Sequence, residues 1–112
     1  MDLVPSEVRD AFARFPIGSQ DGGGKDAVVV VKYFFPAGRY TLYVTEARRE
    51  GTDWLFFGWC VSMFDADCDE WGYTTLTELL SVNVRGLTIE RDLHFPIATC
   101  TVRQALSRSH AA

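Results

Sequence analysis

Between Ala27 and Phe64 the chain carries three runs of β-branched, aromatic and aliphatic residues, separated by only a few turn-forming residues. A parallel crossover needs a dozen or more residues, so links this short restrict the runs to an antiparallel meander. The first run spans 27–35, and its Val28-Val29-Val30-Val31 stretch predicts burial on both faces. Pro36-Ala37-Gly38 turns the chain. The second run, 39–47, alternates Tyr40, Leu42 and Val44 against Thr41, Tyr43 and Thr45. A polar loop around Gly51, residues 48–53, leads to the third run, 54–64. Its odd positions Leu55, Phe57, Trp59, Val61 and Met63 are all large and apolar.

Helical signals flank this meander. Val8, Ala11, Phe12 and Phe15 form one apolar stripe at helical spacing, with Pro5 and Glu7 suited to the first turn, so a helix is predicted over 5–15. Pro16 and Gly18 end it, and the glycine-rich stretch 18–26 reads as a flexible loop. Thr75-Leu76-Thr77-Glu78 has the form of a capping box, predicting a helix over 76–82 with Leu76, Leu79 and Leu80 inward. Residues 87–95 alternate once more, with Leu87, Ile89, Leu93 and Phe95 on one side of an extended segment. A last helix is predicted over about 100–109, burying Val102, Ala105 and Leu106, with 107–112 as a loose tail. There is no internal repeat, so 1–112 is read as a single domain. The order predicts an α+β fold: an antiparallel sheet of about four strands flanked by two or three short helices. At 12.6 kDa, area scaling puts about two-thirds of the unfolded surface out of water on folding, enough for a core without metal or disulfide.

The formal net charge is −4, from 11 basic and 15 acidic residues, a balance that repels a phosphate backbone and excludes general nucleic-acid binding. The excess is local: Asp65, Asp67, Asp69 and Glu70 lie within six residues that hold no base. The three cysteines, Cys60, Cys68 and Cys100, are widely spaced and suggest neither a disulfide framework nor a zinc site. The start, Met1-Asp2-Leu3-Val4-Pro5, lacks a secretory pattern, and the apolar stretch around 54–61 is too short to span a bilayer, so a cytoplasmic setting is expected.

Three groups of residues bear on chemistry. Asp65, Asp67 and Asp69 match the first, third and fifth positions of a calcium loop, but Glu70 replaces its glycine and Leu76 its bidentate glutamate. What remains is a solvated turn or an acidic contact patch for a basic partner. Gly22-Gly23-Gly24-Lys25 resembles a phosphate loop only superficially, because Asp26 stands where Ser or Thr is required and a strand follows. Glu90, Asp92 and His94 would share one side of a strand, about 7 Å apart, and form the alternative metal or polar site. Cys100, near a predicted helix start, is the best candidate thiol, and no Gly-x-Ser-x-Gly elbow exists. Among the aromatics, Tyr33, Tyr43, Trp54, Trp71 and Tyr73 are candidates for an exposed patch.

Val31-Lys32-Tyr33-Phe34-Phe35-Pro36, Tyr43-Val44-Thr45-Glu46 and Phe57-Gly58 are followed by Trp71-Gly72-Tyr73-Thr74-Thr75-Leu76-Thr77-Glu78-Leu79 and by Leu87-Thr88-Ile89-Glu90-Arg91-Asp92-Leu93-His94-Phe95. Together these resemble the bacterial domain-of-unknown-function family 2958 over residues 4–95. The resemblance implies a mobile-element setting and carries over no catalytic residue. Asp67-Cys68-Asp69 and the Arg-containing tail beyond Phe95 stand apart from that pattern. The expected function is non-enzymatic: an accessory protein that binds another protein through Asp65, Asp67, Asp69, Glu70, Trp71 and Tyr73. The expected partner is a host defence complex whose basic surface handles nucleic acid. No cofactor, direct nucleic-acid contact or membrane contact is expected, and the oligomeric state is open. The alternatives are a small metal-assisted hydrolase using Glu90, Asp92 and His94, or a homodimeric structural subunit built on a strand edge.

Overall fold

The apolar stripe at the start winds into α1 (Ser6–Arg14), and it buries Val8, Ala11 and Phe12 as its spacing requires. In the computed structural model, which describes residues 1–111 with side chains through Arg108, the strands are β1 (Val28–Val29), β2 (Val31–Phe34), β3 (Thr41–Glu50), β4 (Asp53–Val61) and β5 (Glu70–Thr75). They are followed by α2 (Leu76–Leu80), β6 (Asn83–Val84), β7 (Leu87–Thr88), β8 (Glu90–Arg91), β9 (Cys100–Thr101) and α3 (Val102–Ala111). The main sheet is antiparallel with five strands in the order β5-β4-β3-β2-β8, and β1-β9 and β6-β7 form two small ribbons. The fold is α+β.

Register assigns the two faces. Val31, Tyr33, Leu42, Val44, Ala47 and Phe56 lie on one face, under α1, Leu3, Leu79 and Ile89. Tyr43, Trp59, Val61 and Trp71 lie on the other, where Cys100, Val102 and Ala105 cover part of it. Both faces of β3 are therefore buried. The Tyr33 hydroxyl donates to the Leu3 carbonyl at 2.6 Å, which ties the N-terminal segment to the first core.

Several expectations need correction. The first run is broken at Val30, whose amide donates to the Val44 carbonyl while its carbonyl accepts from Ala98, so β1 departs to pair with β9. The loop expected at 48–53 is a tight hairpin: Arg48, Arg49 and Glu50 pair with Leu55, Trp54 and Asp53, and Gly51 takes a φ of 62° in the turn. In β3 a bulge at Thr45 inserts one residue, so Glu46 joins the face of Tyr43 and Ala47 that of Val44. The glycine-rich stretch 18–26 is held by successive turn hydrogen bonds, among them Ser19 to Pro16, Asp21 to Gly18 and Gly23 to Gln20. The alternating segment 87–95 divides among β7, β8 and a turn; of its apolar side only Ile89 is buried, while Leu87 and Leu93 are exposed. Leu80 is exposed as well. Residues 107–111, read as loose, continue α3, and Ala112 and the side chains from Ser109 onward lie outside the described residues.

The capping box forms as written: the Thr75 hydroxyl accepts from the Glu78 amide at 3.1 Å, and the Glu78 carboxylate accepts from the Thr75 amide at 3.2 Å. Thr75→Ala removes one acceptor from a helix of five residues. It is expected to lower stability by about 1 kcal/mol in urea denaturation, with Tm about 4 °C lower.

Candidate functional site

The acidic segment is a built turn. Asp65 accepts from the Asp67 amide at 3.0 Å and so caps one turn of 3₁₀ helix, Ala66–Cys68. Asp69 faces inward: Arg39 grips both its oxygens, at 2.9 and 3.2 Å, and the Ser62 amide donates to it at 2.8 Å. The same guanidinium donates to the Ser62 carbonyl at 2.6 Å, closing the turn onto the start of β3. Hydrogen bonding from Arg39 holds the Asp69 carboxyl below the usual range. Asp69 is thus spent on structure, whereas Asp65, Asp67 and Glu70 are exposed and make no ion pair among the described residues.

β5 begins inside the acid run, and its period-2 alternation places Trp71 and Tyr73 on the face that carries Phe57 and Trp59. The rings form a ladder: Trp59–Trp71 at 5.5 Å edge-on, Trp71–Phe57 at 5.6 Å stacked, Phe57–Tyr73 at 4.9 Å tilted. It ends at Tyr73, which is 61% exposed on the outermost strand. At the other end the Lys25 ammonium lies 4.2 Å from the centre of the Trp59 ring. The expected patch is narrower than its candidates. Tyr33 and Tyr43 are core residues, and Trp54 packs on Phe12 at 5.4 Å on the opposite face. Phe57 and Trp59 replace them; their odd-position spacing on β4 was the signal.

Glu46 is the functional-looking residue that sequence reasoning passed over. It is 2% exposed, accepts from the Gly18 and Gln20 amides at 2.8 and 3.0 Å, and lines a cavity of about 200 Å³ beside Phe57 and Trp71. A charged residue inside a strand of apolar neighbours is the available clue. Gln20 completes the frame: its amide donates to the Val28 and Thr45 carbonyls, both at 2.8 Å, and accepts from the Val28 amide at 2.7 Å.

The family model described as "Protein of unknown function (DUF2958)" matches residues 3–108. The chain belongs to the DUF2958 family. No curated protein and no solved structure matches it. The match continues to residue 108, so the tail beyond Phe95, including most of α3, lies inside the DUF2958 domain rather than apart from it.

In this DUF2958 chain the row Glu90, Asp92, His94 does not persist. β8 ends at Arg91, Asp92 forms an ion pair with Lys32 at 3.2 Å, and its other oxygen accepts from the His94 amide at 2.9 Å, turning the backbone. Among the described residues no three His, Cys, Asp or Glu side chains gather as metal ligands, and the His110 side chain lies outside them. Cys100 is buried in the second core, and burial pushes its thiol up, opposite to the expectation from the adjoining helix start. Burial likewise raises the half-buried Cys60. A larger, mainly apolar cleft of about 420 Å³ opens on the α1 face, lined by Phe35, Tyr40, Met63, Leu79, Val84 and Ile89. Among the described residues no helix is long and apolar enough to cross a membrane.

Proposed function

We propose that the protein is a non-enzymatic accessory protein of a bacterial mobile genetic element, acting in the cytoplasm by docking on another protein. The contact surface in this reading is the outer part of β5 with the turn before it: Trp71 and Tyr73 as ring anchors, Asp65, Asp67 and Glu70 as the charged rim. The observation that carries it is the ring ladder ending at exposed Tyr73 on an edge strand, which the acidic turn precedes in the chain; Asp65, Asp67 and Glu70 are exposed and make no ion pair among the described residues. Aromatic anchors with a polar, solvent-accessible rim are the usual anatomy of a binding surface. The partner class that fits is a protein whose Arg and Lys grip nucleic acid, as in a host defence complex, since like surfaces would compete for the same cations. The mobile-element setting rests on the family resemblance.

The test separates rim from scaffold. The triple variant Asp65→Asn, Asp67→Asn, Glu70→Gln spares Asp69 and therefore the Arg39 clamp. Its Tm is expected to stay near that of the parent, while association with a partner captured from host lysate slows by about tenfold at low salt. Tyr73→Ser is expected to speed dissociation instead. Unchanged capture by both variants removes this surface from the function.

A second reading has its own observation. Among the described residues no strand pairs with the outer edge of β5, and its six residues include neither Pro nor Lys to protect it. Two copies joined edge to edge would form a homodimer, distinguishable by mass in solution.

A further inference from the structure

We infer that the cavity beside Glu46 is a binding site for a single organic cation, an ammonium or guanidinium group on an alkyl stem. Glu46 lies in β3 just after the bulge, which turns it toward the ladder face opposite Phe57. Its carboxylate is almost wholly out of water, yet among the described residues no Lys or Arg pairs with it, and its hydrogen bonds come from the Gly18 and Gln20 amides alone. Both oxygens accept an amide hydrogen bond, and a buried carboxylate is stabilised further when a cation joins it. The walls suit an organic cation. Asp21 adds a second carboxylate at the rim, while Phe57 and Trp71 supply rings, and ring faces attract ammonium and guanidinium groups. The ladder already accepts one such group, since the chain's own Lys25 occupies the neighbouring Trp59.

Size and shape agree. A cavity of about 200 Å³ holds roughly six or seven water-sized units, enough for a guanidinium and a short stem. Gly22 and Gly24 line the cavity and bring no side chain to it. The three hydrogen bonds of the Gln20 side chain hold that loop in place before any ligand arrives. The inference shares Trp71 with the docking surface on β5 but rests on Glu46, so it stands whether or not that surface binds a protein.

Titration of the full chain with n-propylguanidinium and n-butylammonium, followed by amide NMR, tests it. Both are expected to move the Gly18, Gln20 and Trp71 signals saturably, and neutral N-propylurea to leave them in place. Glu46→Gln is expected to weaken binding at least about tenfold, provided it folds. Asp21→Asn, on the exposed rim, keeps the Glu46 hydrogen bonds and is expected to weaken binding about threefold. N- and C-blocked lysine and arginine amides identify the source. Binding as tight as the alkyl cations assigns the site to a side chain of a partner protein, and binding of the alkyl cations alone assigns it to a free amine. Either result supports a cation site. It is overturned if the cations leave Gly18 and Gln20 unmoved, if N-propylurea moves them equally, or if a folded Glu46→Gln and Asp21→Asn bind as the parent does.

Discussion

Gly58→Ala is expected to cost more than about 3 kcal/mol, a large part of the 5–15 kcal/mol that holds a domain of this size. Gly58 sits at the middle of β4, paired with Val44 on one side and Gly72 on the other. A Cβ there would run into the Tyr43 carbonyl oxygen and come within 2.8 Å of its carbon and 2.9 Å of the Val44 Cα. All three atoms are backbone of β3, which is hydrogen-bonded on both sides and cannot retreat without opening a ladder. The close approach lies next to the bulge, where Thr45 donates its hydroxyl to the Phe57 carbonyl at 3.3 Å. The bulge also aims Glu46 at the ladder face, so a strand pushed away at Gly58 disturbs that site as well. Gly72→Ala is the control, since nothing lies within 4 Å of its added Cβ. Its cost is expected below about 1 kcal/mol. Urea denaturation of both variants checks the pair. A Gly58→Ala protein within 1 kcal/mol of the parent would mean that β3 and β4 do not approach as described.

What the sequence disclosed followed how local each signal was. α1 and the box at Thr75 and Glu78 were legible because stripe and cap lie within a few residues of each other. A second reciprocal cap, Thr101 with Gln104 at the start of α3, had the same Thr-x-x-Gln spacing and went unread. β5 was missed because Gly72 and the acid run hid an alternation of Trp71, Tyr73 and Thr75. The alternation at 87–95 was real in sequence, but a two-residue period does not name the pairing partner, and the segment pairs successively with β6 and β2. The site divides in the same way. Exposure of Asp65, Asp67 and Glu70 follows from an acid run without bases. The capture of Asp69 by Arg39, 30 residues away, and the meeting of Glu46 with Gly18 and Gln20, depend on the closed sheet. Long-range polar contacts of this kind leave no periodic trace, which is why the two residues that most shape the site were the least visible.

Above pH 10 the protein is expected to lose stability steeply, and two phenols, buried Tyr33 and half-buried Tyr40, are the main cause. Tyr33 is inaccessible, and burial pushes its pKa well above the ordinary tyrosine value, with Arg91 pulling the other way. Its hydroxyl donates to the Leu3 carbonyl, and a phenolate would confront that oxygen with no proton to offer. Tyr40 is raised chiefly by burial too, with Cys60 adding to the shift. In both cases the folded state holds the proton more tightly than the unfolded chain. Below about pH 10 both states are protonated and the contribution is fully present. Above it the unfolded chain releases protons that the fold retains. Stability then falls by about 1.4 kcal/mol per pH unit through Tyr33, and by up to as much again through Tyr40, until the pH passes their folded values. The raised thiols of Cys60 and Cys100 act in the same direction from about pH 9. Urea denaturation of the parent and of Tyr33→Phe, Tyr40→Phe at pH 9, 10.5 and 11.5 reads the phenols together with the Cys60 thiol that is hydrogen-bonded to Tyr40, since the remaining titrating groups are common to both proteins. The parent is expected to lose up to about 2.7 kcal/mol more per pH unit than the variant above pH 10. Parallel lines for the two proteins would show that water reaches both hydroxyls, and the N-terminal segment would then not be closed over Tyr33.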